Sequence, residues 1–156
     1  MALTAGTQAP DFTLLSKTSG EMQEVTLSKE LADSKVVLLF FPLAWTSVCT
    51  EEMCSVSSGL QAYKDLNAKV FGISVDSPFA QEQFAKQQKI EFALLSDFNR
   101  EVCAAYEVQY EELLGFKGVA KRGAFVIAQD GTIAYGAAND DPKVMPDFAA
   151  IQAALK

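Results

Sequence analysis

Residues 36–41 read Val-Val-Leu-Leu-Phe-Phe, six apolar side chains in a row with no polar interruption. A strand with one wet face alternates apolar and polar residues, whereas an unbroken run of this length belongs to a strand covered on both faces. The run therefore calls for a sheet with helices packed on each side. Pro42 then closes the strand, because its ring removes the N–H that a sheet ladder needs.

The residues that follow supply those helices. Cys49, Met53, Val56, Leu60 and Tyr63 recur at helical spacing and predict one helix over about 49–65. Residues 70–75 form the next apolar strand, and Ser77 followed by Pro78 marks a capped helix start that runs to about Lys89. Strand, helix, strand, helix in that order is a βαβ unit. Before it, residues 12–15 and 24–27 around Ser19-Gly20 read as an N-terminal β-hairpin, with Ser28 capping a short helical turn through Leu31. After it come a strand at 92–95, a helix near 100–107, strands at 123–128 and 132–135 around Asp130-Gly131, and a helix at 146–155. The stretch 111–121 is the loosest. No repeat or linker appears, and 156 residues with 49% apolar content suffice for one domain over 1–156.

Composition removes several classes of function. The chain has no histidine and three cysteines without a CxxC pair, which excludes papain-type Cys-His catalysis and argues against a zinc site. A net charge of −7 argues against nucleic acid and anionic membrane surfaces as partners. The longest apolar stretch, 36–45, is too short to span a bilayer, and the start of the chain lacks the basic region of a signal peptide. A cytoplasmic location is the expectation.

Cys49 stands out among the cysteines. It falls in the first turn of its predicted helix, where unpaired backbone N–H groups and the positive end of the helix dipole favour thiolate over thiol. With no imidazole available, activation must come from helix, hydroxyl and arginine.

Pro42, Thr46 and Cys49 match the pattern P-x-x-x-[TS]-x-x-C, and Lys121-Arg122-Gly123-Ala124-Phe125-Val126-Ile127 forms a strand opened by an arginine. Ala9-Pro10-Asp11-Phe12-Thr13-Leu14 and Leu94-Leu95-Ser96-Asp97 complete a set of four landmarks in order. In these features the chain resembles the peroxiredoxins, and the resemblance covers nearly its whole length. The implied fold is thioredoxin-like: α/β, with an N-terminal β-hairpin extension and a mixed central sheet flanked by helices. Length, the Phe-Phe-Pro-Leu-Ala segment and the cysteine five residues after Cys49 look most like the group around bacterioferritin-comigratory protein, or peroxiredoxin Q, and its one-cysteine relatives.

The resemblance implies a thiol peroxidase that reduces hydrogen peroxide and small organic hydroperoxides through a Cys49 sulfenic acid, with no metal or other cofactor. Thr46 would accept a hydrogen bond from the peroxide, Arg122 would donate to sulfur and peroxide oxygens, and Pro42 would shield the thiol. Glu52, one helical turn from Cys49, is placed to hold Arg122. Cys54 lies about 140° round the helix from Cys49 and about 7.5 Å along it. A disulfide needs Cα atoms within about 7 Å, so this pair requires unwinding. Relatives with this spacing use the second cysteine for resolution, which implies an intrachain Cys49–Cys54 disulfide. A one-cysteine enzyme recycled by an external thiol and a redox-sensing binding protein are the alternatives. A thioredoxin-like protein or a low-molecular-weight thiol would supply electrons, and Cys103 reads as buried filler.

Two departures from the family pattern stand out. Trp45 replaces a common Phe, and Ser57-Ser58 replace a common Arg-Asp pair. Trp45 either packs internally or joins an apolar patch near the site, and a homodimer is the expected assembly. With no further cysteine in a C-terminal extension, a two-chain disulfide is not expected.

Overall fold

The structure, a computed structural model, describes residues 2–156. β1 (Thr13–Ser16) and β2 (Gln23–Thr26) form the expected antiparallel hairpin and lead into α1 (Leu27–Glu30). Ser28 does not cap that turn. Thr26 holds the N-cap position, and the Ser28 backbone N–H is satisfied by Asp11 Oδ1 at 2.9 Å.

Next come β3 (Lys35–Phe40), α2 (Ser47–Ser58), α3 (Leu60–Asp65), β4 (Ala68–Ser74), α4 (Pro78–Gln88) and β5 (Ala93–Ser96). Both crossovers, β3 to β4 and β4 to β5, join parallel neighbours. The chain continues through α5 (Glu101–Ala105), β6 (Glu112–Leu113), β7 (Phe116–Lys117), β8 (Arg122–Ile127), β9 (Ile133–Asn139) and α6 (Phe148–Leu155). Seven strands form one mixed sheet in the order β2-β1-β5-β4-β3-β8-β9, with β8 antiparallel to both β3 and β9.

The side-chain alternation of β3 builds two cores. Val37, Leu39 and Phe41 face Met53, Val56 and Leu60 of α2 and α3, Phe84 of α4 and Ile151 of α6. Val36, Leu38 and Phe40 face the other way, towards Phe125, Ile127, Val102 of α5 and Tyr106. The apolar run is buried on both faces, as its pattern required.

Three elements differ from the sequence expectation. The helix expected over 49–65 is two helices broken at Gly59, where φ is −101° and ψ 14°. Ser57, Ser58 and Gly59 are all poor helix formers, and the break falls among them. Residues 111–121 carry the small hairpin β6–β7, closed by Leu114 and Gly115 at φ 54° and 87°. Two central residues at positive φ suit a tight hairpin turn, but Leu lacks the turn signature of Asn or Asp there. β9 runs on to Asn139 although Gly136, Ala137 and Ala138 have little strand propensity, because pairing with β8 through Arg122 opposite Asn139 overrides it.

Helix α4 follows its signals closely: Ser77 Oγ accepts from Ala80 N–H at 3.2 Å, and Lys89 ends the helix at φ 56°.

Gly72 on β4 is the tightest point between sheet and α2. A Cβ there would lie 2.7 Å from Leu94 Cδ2, 3.2 Å from Met53 Sδ and 3.3 Å from Phe41 Cε1. Those three neighbours are fully buried, so a methyl group is admitted only if the core around them shifts. Gly72→Ala should therefore cost about 1–3 kcal/mol through overpacking. Urea unfolding measures this, and an unchanged midpoint would mean that the core beneath α2 has slack.

Candidate active site

The strand register decides where the arginine arrives. Phe40 of β3 pairs with Gly123 of β8, so Arg122 comes level with the end of β3, where the chain turns into the 42–46 loop. Helix α2 begins just beyond, with Ser47 as its first residue and Cys49 in its first turn. Cys49 is completely buried. Glu52 follows one turn later, on the same side of the helix and equally buried.

The Arg122 guanidinium closes the gap between strand and helix. Its Nη2 donates to Cys49 Sγ at 3.0 Å, Nη1 donates to Glu52 Oε1 at 2.6 Å, and Nε donates to the Pro142 carbonyl at 3.0 Å. Burial opposes the charge of Arg122, but Glu52 and Cys49 together outweigh it and hold the guanidinium above its ordinary value. Burial likewise pushes the Glu52 carboxyl up from 4.5 to about 7, with the charge and hydrogen bond of Arg122 pulling the other way. Glu52 Oε2 has no partner among the described residues.

Thr46 takes the N-cap position of α2 in extended conformation, yet its hydroxyl makes no cap bond. It donates instead to the Leu43 carbonyl at 3.0 Å, which spends its hydrogen inside the loop and leaves its lone pairs free. The Thr46 carbonyl accepts the Thr50 N–H at 2.9 Å, which joins the residue to the first turn of α2, where Cys49 lies. Pro42 is buried at the base of the loop. Trp45 is 47% exposed and adopts φ 73°, with its ring edge-on to Phe84 at 5.3 Å between centroids. The ring packs internally against Phe84 along one edge, while nearly half the residue stays exposed.

Arg122 bonds both Cys49 and Glu52, while the Thr46 hydroxyl bonds only the Leu43 carbonyl of its own loop and Pro42 lies buried at that loop's start. Cys54 stands apart. It is half-buried, with Sγ 3.6 Å from the Gln88 carbonyl, in a polar depression shared with Ser57, Ser58, Lys89 and Glu91. Cys103 is fully buried, and burial reinforced by Asp97 pushes its thiol up to about 12. It packs the second core and belongs to no site.

Two groups escaped the sequence reading. The Asp76 carboxylate accepts the Ala44 N–H at 2.8 Å and the Ser74 hydroxyl at 2.6 Å, tying the 42–46 loop to the end of β4. Its signal was an acid just past the carboxyl end of a parallel strand, a customary place for functional groups in such sheets. The Pro142 carbonyl had no signal, since any residue offers one.

Residues 5–136 match the model of the AhpC/TSA family. The chain belongs to the AhpC/TSA family of peroxiredoxins. As a member it is an oxidoreductase, a thiol-dependent peroxidase. It is 33% identical over 147 residues to the chloroplastic 2-cysteine peroxiredoxin of Chattonella marina var. antiqua, covering 90% of this chain and 73% of the relative. The mitochondrial thioredoxin-dependent peroxide reductase of Drosophila melanogaster is 33% identical over 141 residues, 86% of this chain and 58% of that one. Among solved structures, the peroxidoxin BcpB of Mycobacterium tuberculosis superposes with a TM-score of 0.85 at 30% identity, covering 98% of this chain and 96% of that one. The thioredoxin-like architecture is common to both. Among the described residues, no helix is long and apolar enough to cross a membrane.

The raised Glu52 carboxyl sets a pH dependence. Because the folded protein holds this proton more tightly than the unfolded chain does, its contribution to stability is present below the ordinary value of 4.5 and lost as pH rises towards about 7. The loss should reach about 3 kcal/mol by slightly alkaline pH. Urea unfolding of wild type and Glu52→Gln across this range should show the falling slope only in the wild type. Parallel pH profiles would place the Glu52 titration elsewhere.

Proposed function

We propose that Cys49 is the peroxidatic nucleophile, and that Cys54 resolves the sulfenic acid it forms. The observation that carries the first role is the 3.0 Å contact from Arg122 Nη2 to Cys49 Sγ in a water-poor pocket. The sulfur attacks one peroxide oxygen along the O–O axis, an S–O bond forms as O–O breaks, and the departing hydroxide or alkoxide takes up a proton. Sulfur is oxidised by two electrons and the peroxide is reduced. Arg122 meets the charge that spreads along S···O···O, and it does so from a position already fixed by Glu52 and Pro142. The free lone pairs of Thr46 accept the peroxide O–H and set its line of approach. Pro42 excludes water behind the sulfur.

Hydrogen peroxide and small organic hydroperoxides are the proposed substrates. Membership of a family that includes a peroxide reductase supports that substrate class. Whole-length likeness to BcpB supports the short, single-domain group over 1–156. We place the protein in the cytoplasm, as a homodimer with the exposed Trp45 near its contact, reduced by a thioredoxin-like protein or a low-molecular-weight thiol.

For resolution, Cys54 attacks Cys49 sulfenic acid, an S–S bond forms and water leaves. Support comes from the half-exposed position of Cys54 and from a helix that has no side-chain cap, is rich in Ser and breaks at Gly59. The buried Glu52–Arg122 pair works against the required unwinding and favours the second reading, a one-cysteine cycle completed by an external thiol.

Cys49→Ser should abolish peroxide consumption with the fold intact by circular dichroism, and residual turnover above background would move the nucleophile elsewhere. Arg122→Ala and Thr46→Val should each slow the single-turnover reaction at least tenfold, since one such donor or acceptor is worth about 2.7–4 kcal/mol. After one equivalent of peroxide, intact mass and peptide mapping should find Cys49 joined to Cys54 within one chain. Cys54→Ser should stop at sulfenic acid and over-oxidise more readily. Persistent sulfenate in the wild type would select the one-cysteine cycle.

A further inference from the structure

Trp45 is held in a left-handed backbone conformation that a bulky residue adopts only under constraint from its surroundings. It stands directly between Ala44 and Thr46, so whatever holds it also sets the threonine hydroxyl. The constraint runs back through the half-buried Asp76 to a line of buried polar groups. Gln81 Nε2, anchored on the Leu95 carbonyl at 2.8 Å, donates to Ser74 Oγ at 2.9 Å. Ser74 Oγ–H then donates to Asp76 Oδ2 at 2.6 Å, and the same oxygen receives the Ala44 N–H at 2.8 Å. Ser96 fixes the other side of Asp76 by donating to its carbonyl at 2.7 Å. Ser74 and Gln81 are fully buried and Ser96 nearly so, so none of them is free to turn to water.

Every bond in this line has its donor and acceptor in order, from the sheet to the loop. None of these side chains hydrogen-bonds Cys49, Glu52 or Arg122. Thr46 is held from two sides, by the first turn of α2, where Thr50 N–H bonds its carbonyl at 2.9 Å, and by the loop that Asp76 ties down at Ala44.

We infer that Asp76 is a positioning residue for peroxide: by gripping the Ala44 N–H it keeps the 42–46 loop in the one conformation that presents the Thr46 hydroxyl to the substrate. The inference rests on Cys49 being the nucleophile. A carboxylate is needed only as an acceptor of two bonds on one oxygen, so Asn can replace it through its carbonyl oxygen, whereas Ala cannot.

The test separates reaction with peroxide from reactivity of the sulfur itself. In Asp76→Ala the second-order rate with hydrogen peroxide should fall at least tenfold, while alkylation of Cys49 by iodoacetamide, which needs no threonine, stays within threefold of wild type or rises. Asp76→Asn should recover the peroxide rate to within about threefold. Ser74→Ala, which removes one of the two bonds on Asp76 Oδ2 together with those that the hydroxyl accepts from Gln81 Nε2 and the Asp76 N–H, but leaves the carboxylate in place, should fall between the two and serves if Asp76→Ala does not fold. An unchanged peroxide rate in Asp76→Ala, or in Ser74→Ala should that variant stand in, would overturn the inference, as would peroxide and alkylation rates that drop together. Wild-type protein that consumes no peroxide through Cys49 would instead sink the underlying assignment of the nucleophile.

Discussion

Taking a guanidinium out of water costs several kcal/mol unless its N–H groups are met and its charge is answered, and Arg122 is almost wholly buried. Three acceptors meet it: a sulfur, a carboxyl oxygen and a backbone carbonyl, drawn from α2 and from the loop after β9. Removal of any one leaves a buried donor with nowhere to turn. The packing of α2 on the sheet is therefore tied to the integrity of the reactive pocket, since both pass through one side chain. Lysine in that position would keep the charge but not the fork that spans three partners.

The sheet makes such an arrangement reachable. β3 lies between β4 and β8, parallel to one and antiparallel to the other, so that its carboxyl end meets the carboxyl end of β4 and the amino end of β8. Asp76 and Arg122, remote from each other in sequence, thereby flank the same loop. Their charges have opposite sign and separate tasks. One holds backbone, the other holds the side chains of Cys49 and Glu52.

Most of this was legible in the sequence wherever a signal was local. The unbroken run at 36–41 and the Ser77-Pro78 helix start each report on neighbours a few residues away and each produced the expected element, while the apolar stripe from Cys49 to Tyr63 produced helix in two pieces rather than one. The candidate site residues were read through a family pattern, because nothing in the local chemistry of Arg122 says that it reaches from its strand to Cys49 on α2. What stayed hidden was set by long-range pairing or by backbone. The extension of β9 through Gly136-Ala137-Ala138 follows from its partner strand rather than its own residues. The Asp11 contact at Ser28, the Asp76 grip on Ala44 and the Pro142 carbonyl depend on loops that pass close only once the chain has folded. The break at Gly59 was signalled by Ser-Ser-Gly but outweighed by the continuity of the apolar stripe.

The three-way grip of Arg122 has a consequence for the surface. Two of its partners, Cys49 and Glu52, sit on the same turns of α2, and the third belongs to the segment that carries the chain from β9 to α6. Any event that unravels those turns takes both α2 partners away at once and leaves the guanidinium hanging on Pro142 alone. The half-buried Pro142, in an outward loop, is thereby coupled through one side chain to the first turns of α2. The order of an exterior segment between β9 and α6 depends on bonds made deep beneath it.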